Sequence, residues 1–216
     1  MLVSCNTGDY KESNQVEQRT IFPQYSVTVD AATGKCVAMV NFRVDNSAGF
    51  AVVLSEKSAV SCNNQGLTLD KNSEDFSYSL TMESIPTQIK FVYTNDDGKT
   101  FENSFDLSPI AFVAQSITIS KSAGGSFFYS GSTVKDDETV ILKWMQGEKI
   151  IEELVPEVLS NKRLAVNAEL LSELSVGSYT CRIVRETVSS EVKALDRGAI
   201  FTSDYESNPI KIIIVE

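Results

Sequence analysis

The sequence contains no histidine among its 216 residues. Serine and cysteine triads of the usual kind, histidine metal sites and the commonest general base are therefore excluded. Cys-x-x-Cys spacing is also absent, and the glycine pair at 124–125 lacks the lysine and the helix of a phosphate-binding loop. We accordingly expect a protein that is not an enzyme and that has no cofactor and no bound metal, with a carboxylate-based hydrolase as a distant alternative.

The charge of the chain limits its partners. It has 19 basic and 29 acidic residues and a net charge of −10 at neutral pH, which repels phosphate backbones and anionic lipid headgroups. No run of about 18 apolar residues, the length needed to cross a bilayer, occurs in the sequence. We therefore expect no nucleic-acid partner, and contact with a membrane only through a lipid anchor.

Short segments of alternating apolar and polar residues recur between clusters of turn-forming residues, which is the pattern of an all-β protein. In residues 36–44 every second side chain is apolar, beginning at Cys36. In residues 76–82 the same alternation would place Phe76 and Tyr78 on one buried face. The regular spacing of such segments in the first half of the chain predicts a β-sandwich.

The clearest hairpin of the chain surrounds residues 95–99. Alternating segments at 89–93 and 101–105 flank this turn, and its Asp97-Gly98 pair suits the positive φ angles of a tight turn. The sequence therefore predicts that these two segments are adjacent antiparallel strands joined by the turn.

Two pairs of carboxylates lie in polar turns. They are Asp96 with Asp97 in the hairpin turn, and Asp136 with Asp137 further along the chain. Carboxylate oxygens are the ligands of hard cations such as calcium. Acidic residues are also favoured in turns for solvation and turn geometry alone, so these four residues are weak cation candidates.

The second half carries a pair of motifs that resembles a known fold. Trp144 lies on an apolar strand at 139–144, and the run Gly-x-Tyr-x-Cys at 177–181 follows a turn further downstream. This arrangement resembles strands C and F of an immunoglobulin-like sandwich, in which the tyrosine forms the tyrosine corner. The resemblance covers residues 116–190 and implies that Trp144, Tyr179 and Cys181 are structural core residues.

The cysteines depart from the pattern of that family. No cysteine stands near Phe127, where strand B is expected, so the usual disulfide between strands B and F is absent. Cys181 should then be a buried thiol beside Trp144. Cys36 and Cys62 remain as a possible disulfide, which would stabilise the fold by about 3 kcal/mol in the chain-entropy model. The alternative is two unrelated thiols.

The length is about twice the ~100 residues of one immunoglobulin-like domain, so we expect two tandem immunoglobulin-like β-sandwiches. The first would comprise residues 21–113 and the second residues 114–216, with a short, partly buried joint between them. In the second domain, residues 182–191 and 210–215 would form strands F and G, joined by a long loop. A loop of that length in a compact domain is often functional or mobile.

The N-terminus carries a second resemblance. Leu2-Val3-Ser4-Cys5 is similar to the lipobox of bacterial lipoproteins, in which the cysteine is lipidated after the signal segment is cut. This implies an exported protein, lipid-anchored through Cys5 at the cell envelope in the outer membrane or periplasm, and it requires signal regions upstream of Met1. Residues 6–20 are polar and aperiodic, so residues 1–20 would form a lipobox and a flexible tether. The alternative is a disordered cytosolic N-terminus with an ordinary thiol.

These features together predict a non-catalytic exported lipoprotein. It would act as a binding or structural module at the bacterial cell envelope, through protein–protein interaction or adhesion, with a protein or a surface polysaccharide as partner. The alternative is a carbohydrate-binding β-sandwich protein. Clustered exposed aromatic side chains would favour that alternative, and Tyr10, Tyr129 and Tyr205 are the candidates, although such tyrosines also close hydrophobic cores.

Overall fold

The structure, a computed structural model, describes residues 10–73 and 75–216. In the first half of the chain the strands are β1 (Tyr10–Glu12), β2 (Ile21–Asp30), β3 (Lys35–Val44), β4 (Ala51–Val53), β5 (Ala59–Cys62), β6 (Gln65–Gly66), β7 (Thr68–Leu69), β8 (Tyr78–Met82), β9 (Gln88–Thr94) and β10 (Thr100–Asp106). In the second half they are β11 (Ile110–Phe112), β12 (Ser116–Ser120), β13 (Gly125–Gly131), β14 (Glu138–Gln146), β15 (Lys149–Leu154), β16 (Glu157–Leu159), β17 (Arg163–Val166), β18 (Gly177–Ser189), β19 (Ile200–Glu206) and β20 (Ile210–Val215). The helices among these residues are two 3₁₀ turns, Ser13–Gln15 and Gln18–Thr20. The prediction of an all-β fold is confirmed.

The first sandwich has two layers of antiparallel strands. In one layer β3 pairs with β2 and β8, and in the other β9 pairs with β10 and β5. The turn between β9 and β10 falls at residues 95–99, with Gly98 at a φ of 76°. Because alternate side chains of each strand face inward, the two layers enclose a first core that includes Tyr25, Phe42, Phe91 and Tyr93.

The second sandwich has the immunoglobulin arrangement. One layer has the order β11-β13-β17-β16, which corresponds to strands A, B, E and D. In the other layer β15 pairs with β14, β14 with β18 and β18 with β20, while β12 runs parallel to β20. The second core lies between these layers and includes Trp144, Leu164, Tyr179 and Cys181.

One sheet runs through both sandwiches. Its order is β1-β4-β3-β2-β19-β18-β14-β15. The first part of β18 pairs with β20 in the second sandwich, and its last part, Val184 to Ser189, pairs with β19. Along its whole length β19 also pairs in parallel with β2 of the first sandwich. The two sandwiches are therefore joined by a backbone hydrogen-bond ladder and not by a linker alone.

The predicted boundary between the domains is wrong for residues 192–206, which were expected to belong to a loop of the second sandwich. Instead Phe201 on β19, and Ala199 just before this strand, lie in the core of the first sandwich. In the segment before β19, the carbonyl of Lys193 accepts a hydrogen bond from the Asn103 side chain at 3.0 Å, and the amide of Lys193 donates one to the same side chain at 2.7 Å. The physical reason is that β2 would otherwise expose an unpaired edge beside an open core.

The segment before β2 is packed, so the prediction of a flexible tether is wrong for residues 10–20. Ser13 is fully buried, and its hydroxyl accepts a hydrogen bond from the backbone amide of Ser55 at 2.8 Å. The Gln18 side chain donates to the carbonyl of Ser13 at 2.6 Å and accepts from the amide of Asp96 at 3.0 Å. Polar side chains of this segment thus satisfy backbone groups that would otherwise be buried without partners.

Candidate functional site

Two aromatic side chains, Tyr10 and Phe76, are in contact at the end of the shared sheet where β1 is the edge strand. We call Tyr10 and Phe76 the aromatic surface, and a further exposed ring, Phe50, lies at the start of the neighbouring strand β4. β1 pairs in parallel with β4, and this register sets Tyr10 opposite Ala51, which directly follows Phe50. Tyr10 is 40% exposed and Phe50 63% exposed, so both rings offer area to a ligand without leaving a core.

Phe50 is presented by a tight turn between β3 and β4. The amide of Val44 donates to the carbonyl of Phe50 at 3.0 Å, which closes the turn. Gly49 is required there, because a Cβ at this position would lie 1.7 Å from the carbonyl oxygen of Val44. The ammonium group of Lys11 lies over the Phe50 ring, 5.5 Å from its centroid, in the geometry of a cation–π contact.

Phe76 lies outside the strand that the sequence predicts for it. β8 begins at Tyr78, and Phe76 is half-buried in the preceding turn with a φ of 49°. Its ring centroid lies 4.6 Å from that of Tyr10, with the planes tilted by 48°. A positive φ is costly for a bulky side chain and is often found at functional sites. The expectation that Phe76 faces the core with Tyr78 is therefore wrong.

A pair of opposite charges borders the aromatic surface. The guanidinium of Arg43 forms an ion pair with the carboxylate of Asp75 and donates a hydrogen bond to the carbonyl of Gly49 at 3.3 Å. The Asp75 side chain is 58% exposed, so it keeps free acceptor positions. Between Arg43 and Phe50 lies a shallow depression of about 250 Å³, which Ala48, Gly49 and Ala51 also line.

The predicted cation candidates are not brought together. Asp96 accepts hydrogen bonds from the Ser55 hydroxyl and from the Gln18 amide, which is 3.3 Å away. Burial alone would raise the pKa of Asp96, but hydrogen bonds from neighbouring hydroxyls and from Gln18 outweigh it and hold the pKa below its ordinary value. These contacts give Asp96 a structural role in fastening the N-terminal segment to the hairpin turn.

The other three candidates, Asp97, Asp136 and Asp137, are exposed. In the part of the chain that the structure describes, no group of three or more Cys, Asp or Glu side chains is arranged to hold a metal ion. Within the same residues no helix is long and apolar enough to cross a bilayer.

The cysteines of the first sandwich are free thiols in the structure. Cys36 on β3 and Cys62 on β5 are both completely buried in the first core. Burial raises the pKa of Cys36 to about 11 and that of Cys62 to about 12. The possible disulfide of the sequence interpretation is thus not formed here, and the two thiols fill space as small apolar groups. Cys5 lies outside the described residues.

The three residues that carry the immunoglobulin-like motif lie together in the second core. Trp144 and Cys181 are opposite one another on β14 and β18, and neither is exposed. The ring of Tyr179 meets that of Trp144 edge-on, with centroids 5.9 Å apart. Its hydroxyl donates a hydrogen bond to the carbonyl of Ser175 at 2.9 Å, which is the contact of a tyrosine corner.

Sequence reasoning missed a buried ion pair at the junction of the two sandwiches. Arg185 on β18 pairs with Glu138 at the start of β14, and their side chains are 0% and 1% exposed. The guanidinium also donates to the carbonyls of Ser132 and Thr133, at 3.0 and 2.9 Å. In the sequence, Glu138 belongs to an acidic run that is typical of a solvated loop. Only the length of β18 could have indicated that Arg185 is buried.

Of the three tyrosines considered for carbohydrate binding, only Tyr10 is exposed. Tyr129 is buried, and its hydroxyl accepts a hydrogen bond from the amide of Val134 at 3.2 Å. Tyr205 packs against both cores at the junction of the sandwiches. The aromatic surface therefore consists of one tyrosine considered for carbohydrate binding, Tyr10, and of Phe76, which the sequence placed in the core.

No protein-family model and no curated protein matches the sequence. Among solved structures, the chain is similar to titin Ig tandem domains, with 12% identity, coverage of 90% of this chain and 95% of that chain, and a TM-score of 0.23. It is also similar to fibronectin(III)-like modules of Clostridium thermocellum CbhA, with 10% identity, coverage of 90% and 93%, and a TM-score of 0.26. A third is Bacteroides ovatus SGBP-B in complex with a mixed-linkage heptasaccharide, with 12% identity, coverage of 86% and 54%, and a TM-score of 0.21. The immunoglobulin-like fold of the second sandwich is defined by its strand order.

Proposed function

We propose that this protein is a non-catalytic exported lipoprotein that serves as a binding or structural module at the bacterial cell envelope. Cys5 would carry the lipid, in the outer membrane or periplasm, and the sandwiches would mediate protein–protein interaction or adhesion. The observation that carries the proposal is the sheet shared by both sandwiches, because it makes them one body that can hold binding surfaces at fixed positions relative to an anchor.

Side-chain contacts reinforce the shared sheet at the junction. The guanidinium of Arg182 on β18 forms ion pairs with Asp30 of β2, at 3.3 Å, and with Glu206 of β19, at 3.2 Å. Tyr205 on the neighbouring strand packs against both hydrophobic cores. Relative motion of the sandwiches would have to break these contacts together with the hydrogen-bond ladder between β2 and β19. The angle between the two sandwiches is therefore fixed, which supports a role as a spacer or as a support that presents a binding surface.

The two ends of the shared sheet differ in what they offer. At one end stands β1, and Cys5 precedes Tyr10 by a segment that spans at most about 17 Å when fully extended. At the other end stands β15, where Ile150 is 45% and Ile151 is 38% exposed. An apolar side-chain pair on an edge strand suits docking of another protein chain, which supports the protein–protein role.

The lipid anchor can be tested in cells. The gene with its own upstream sequence is expressed in a bacterial host, and the wild type is compared with Cys5→Ala. We expect the wild type to partition into the detergent phase with a mass increase on Cys5, and the variant to partition into the aqueous phase. An unmodified Cys5 in a cytosolic wild-type protein would overturn the proposed location.

A further inference from the structure

β15 is an open edge of the shared sheet. It spans Lys149–Leu154 and is the last strand in the order that begins at β1. β14 covers one side of β15, and among the described residues no strand pairs with its other side. Ile150 and Ile151 are 45% and 38% exposed, and Val155, just beyond the strand, is 59% exposed. An edge strand with exposed aliphatic side chains is a template for pairing with another chain.

Monomeric proteins protect edge strands with bulges and with lysine side chains, and β15 has both features. Its register against β14 shifts at Ile151, and Lys149 is its first residue. In a strand pair, like charges directly opposite one another are destabilising and opposite charges are stabilising. The charges of β15 therefore decide whether Lys149 prevents or favours pairing with a given partner.

A second copy of β15 supplies the opposite charge in one register. Two copies can pair as antiparallel strands around a two-fold axis, at which one residue faces its own copy. An axis at Ile151 sets this residue against its own copy and sets Lys149 against Glu153 of the second chain. The symmetry repeats the charge pair, so opposite charges meet on both sides of an apolar centre.

The neighbouring registers bring like charges together. An axis at Ile150 sets Glu148 against Glu152 of the second chain. An axis at any charged residue of β15 sets that residue against its own copy, and these residues are Lys149, Glu152 and Glu153. Since like charges directly opposite one another are destabilising, the charge pattern selects the register centred on Ile151.

The two charged side chains are free to form this contact. The Glu153 carboxylate lies 3.9 Å from the ammonium group of Lys143, and the Glu153 side chain is 50% exposed, so that pair contributes little. Lys149 is exposed as well. On these grounds we infer that β15 pairs with β15 of a second copy of this chain, antiparallel and centred on Ile151. The two shared sheets then continue as one, and this partner rests on the proposed protein–protein role.

The dimer is measured by sedimentation equilibrium of the full chain carrying Cys5→Ser. A strand of 6 residues forms a small interface, so the dimer should be reversible and is sought at protein concentrations up to about 500 μM. Lys149→Glu and Glu153→Lys should each weaken dimerisation about tenfold, because the two-fold axis makes each reversal act twice. An equimolar mixture of the two variants should associate like the wild type, since opposite charges meet again at both places.

Lys35→Glu is the matched control for the charge reversals. Lys35 is also an exposed lysine at the start of a strand, but its strand, β3, has β2 and β8 as neighbours on its two sides. The substitution should leave dimerisation unchanged. Circular dichroism of each variant checks that the fold is retained.

Cysteine substitution tests the centre of the interface. Opposite residues of an antiparallel pair have Cα atoms about 4.5–5.5 Å apart, which is within the range that a disulfide bridges. Ile151→Cys should therefore give a disulfide-linked dimer in oxidised glutathione. Ile150→Cys should give far less, because Ile150 is opposite Glu152 of the second chain and not opposite itself.

A wild type that stays monomeric at the highest concentration would overturn the inference and leave β15 to a different protein. A dimer that Lys149→Glu does not weaken, or one that mixing with Glu153→Lys does not restore, would overturn the contact through β15. Equal cross-linking of Ile150→Cys and Ile151→Cys would overturn the register. Lipidation of Cys5 in cells is scored separately, so loss of the dimer and loss of the envelope location are distinguishable outcomes.

Discussion

The ring of Phe105 on β10 stacks on the ring of Phe201 on β19, with centroids 3.6 Å apart and planes inclined by 5°. β10 belongs to the first sandwich, whereas β19 follows the long strand of the second. The first core is thus completed by residues that lie between two strands of the second sandwich, β18 and β20, in the chain. Stability of the first sandwich should therefore depend on residues that a simple tandem arrangement would assign elsewhere.

A fragment that comprises residues 1–113 should not fold cooperatively. It lacks β19, so β2 loses its parallel neighbour and Phe105 loses its stacking partner. The measurement is urea unfolding followed by circular dichroism, compared with the full chain. A sigmoidal transition of the fragment with the stability of an ordinary domain would show that the first sandwich is autonomous.

Substitutions at Tyr179 separate its hydroxyl from its ring. Tyr179→Phe keeps the packing on Trp144 but leaves the carbonyl of Ser175 without its partner, which should lower the free energy of unfolding by about 1–3 kcal/mol. Tyr179→Ala also removes the ring and should cost about 3–5 kcal/mol. Chemical denaturation of both variants gives the comparison. A neutral Tyr179→Phe would contradict the tyrosine corner.

Glu138→Gln should destabilise the protein strongly at neutral pH. The substitution leaves the guanidinium of Arg185 buried without a counter-charge, and breaking a buried pair in this way costs about 3–5 kcal/mol. Chemical denaturation of the variant and the wild type at pH 7 measures the difference. Glu153→Gln is a control, because its partner Lys143 lies 3.9 Å away and the Glu153 side chain is 50% exposed.

The same pair gives a signed pH dependence. Burial alone would raise the pKa of Glu138, but the hydrogen bond and charge of Arg185 outweigh it, so the pKa lies below its ordinary value in the folded protein. As the pH falls below the unfolded-state pKa of about 4.3, the unfolded chain binds the proton first and the wild type loses stability. The difference in the free energy of unfolding between the wild type and Glu138→Gln should therefore become smaller from pH 7 to pH 3. A difference that does not change with pH would contradict an ionised Glu138 paired with Arg185.

The buried thiols should resist alkylation in the native state. Burial raises the pKa of Cys181 far above its ordinary value, as it does for Cys36 and Cys62. In a Cys5→Ser background, iodoacetamide at pH 8 should label none of the three until denaturant is added, and all three afterwards. Rapid native labelling of Cys181 would contradict its place on β18. Failure of Cys36 and Cys62 to label in denaturant would reveal a bridge between them.

The sequence predicts those features that depend on neighbours in the chain. The β9–β10 turn follows from Asp97-Gly98, and the second core follows from the motif that contains Trp144 and Tyr179, because local spacing fixes which side chains share a face. These features could be predicted without knowledge of long-range pairing.

Features that depend on distant partners could not be predicted in the same way. β19 pairs in parallel with β2 from the opposite end of the chain, and no local pattern specifies that partner. In the sequence, Phe76 continues the alternation of apolar residues that includes Tyr78. In the structure, a positive φ at Phe76 turns the backbone out of the strand, so the two side chains do not share a face. The contact between Tyr10 and Phe76 could not be predicted either, since it arises only when two segments far apart in the sequence meet at the edge of the sheet.

Hydrogen exchange of a Phe201→Ala variant tests the shared architecture most directly. Phe201 is 3% exposed in the first core, and its truncation should cost about 3–5 kcal/mol, whereas Val188→Ala, at a site 54% exposed, should change little. Amide protection is compared between β9 in the first sandwich and β17 in the second. Phe201→Ala should lower amide protection in β9. Unchanged protection in β9, with losses confined to residues 114–216, would contradict the place of β19 in the first sandwich.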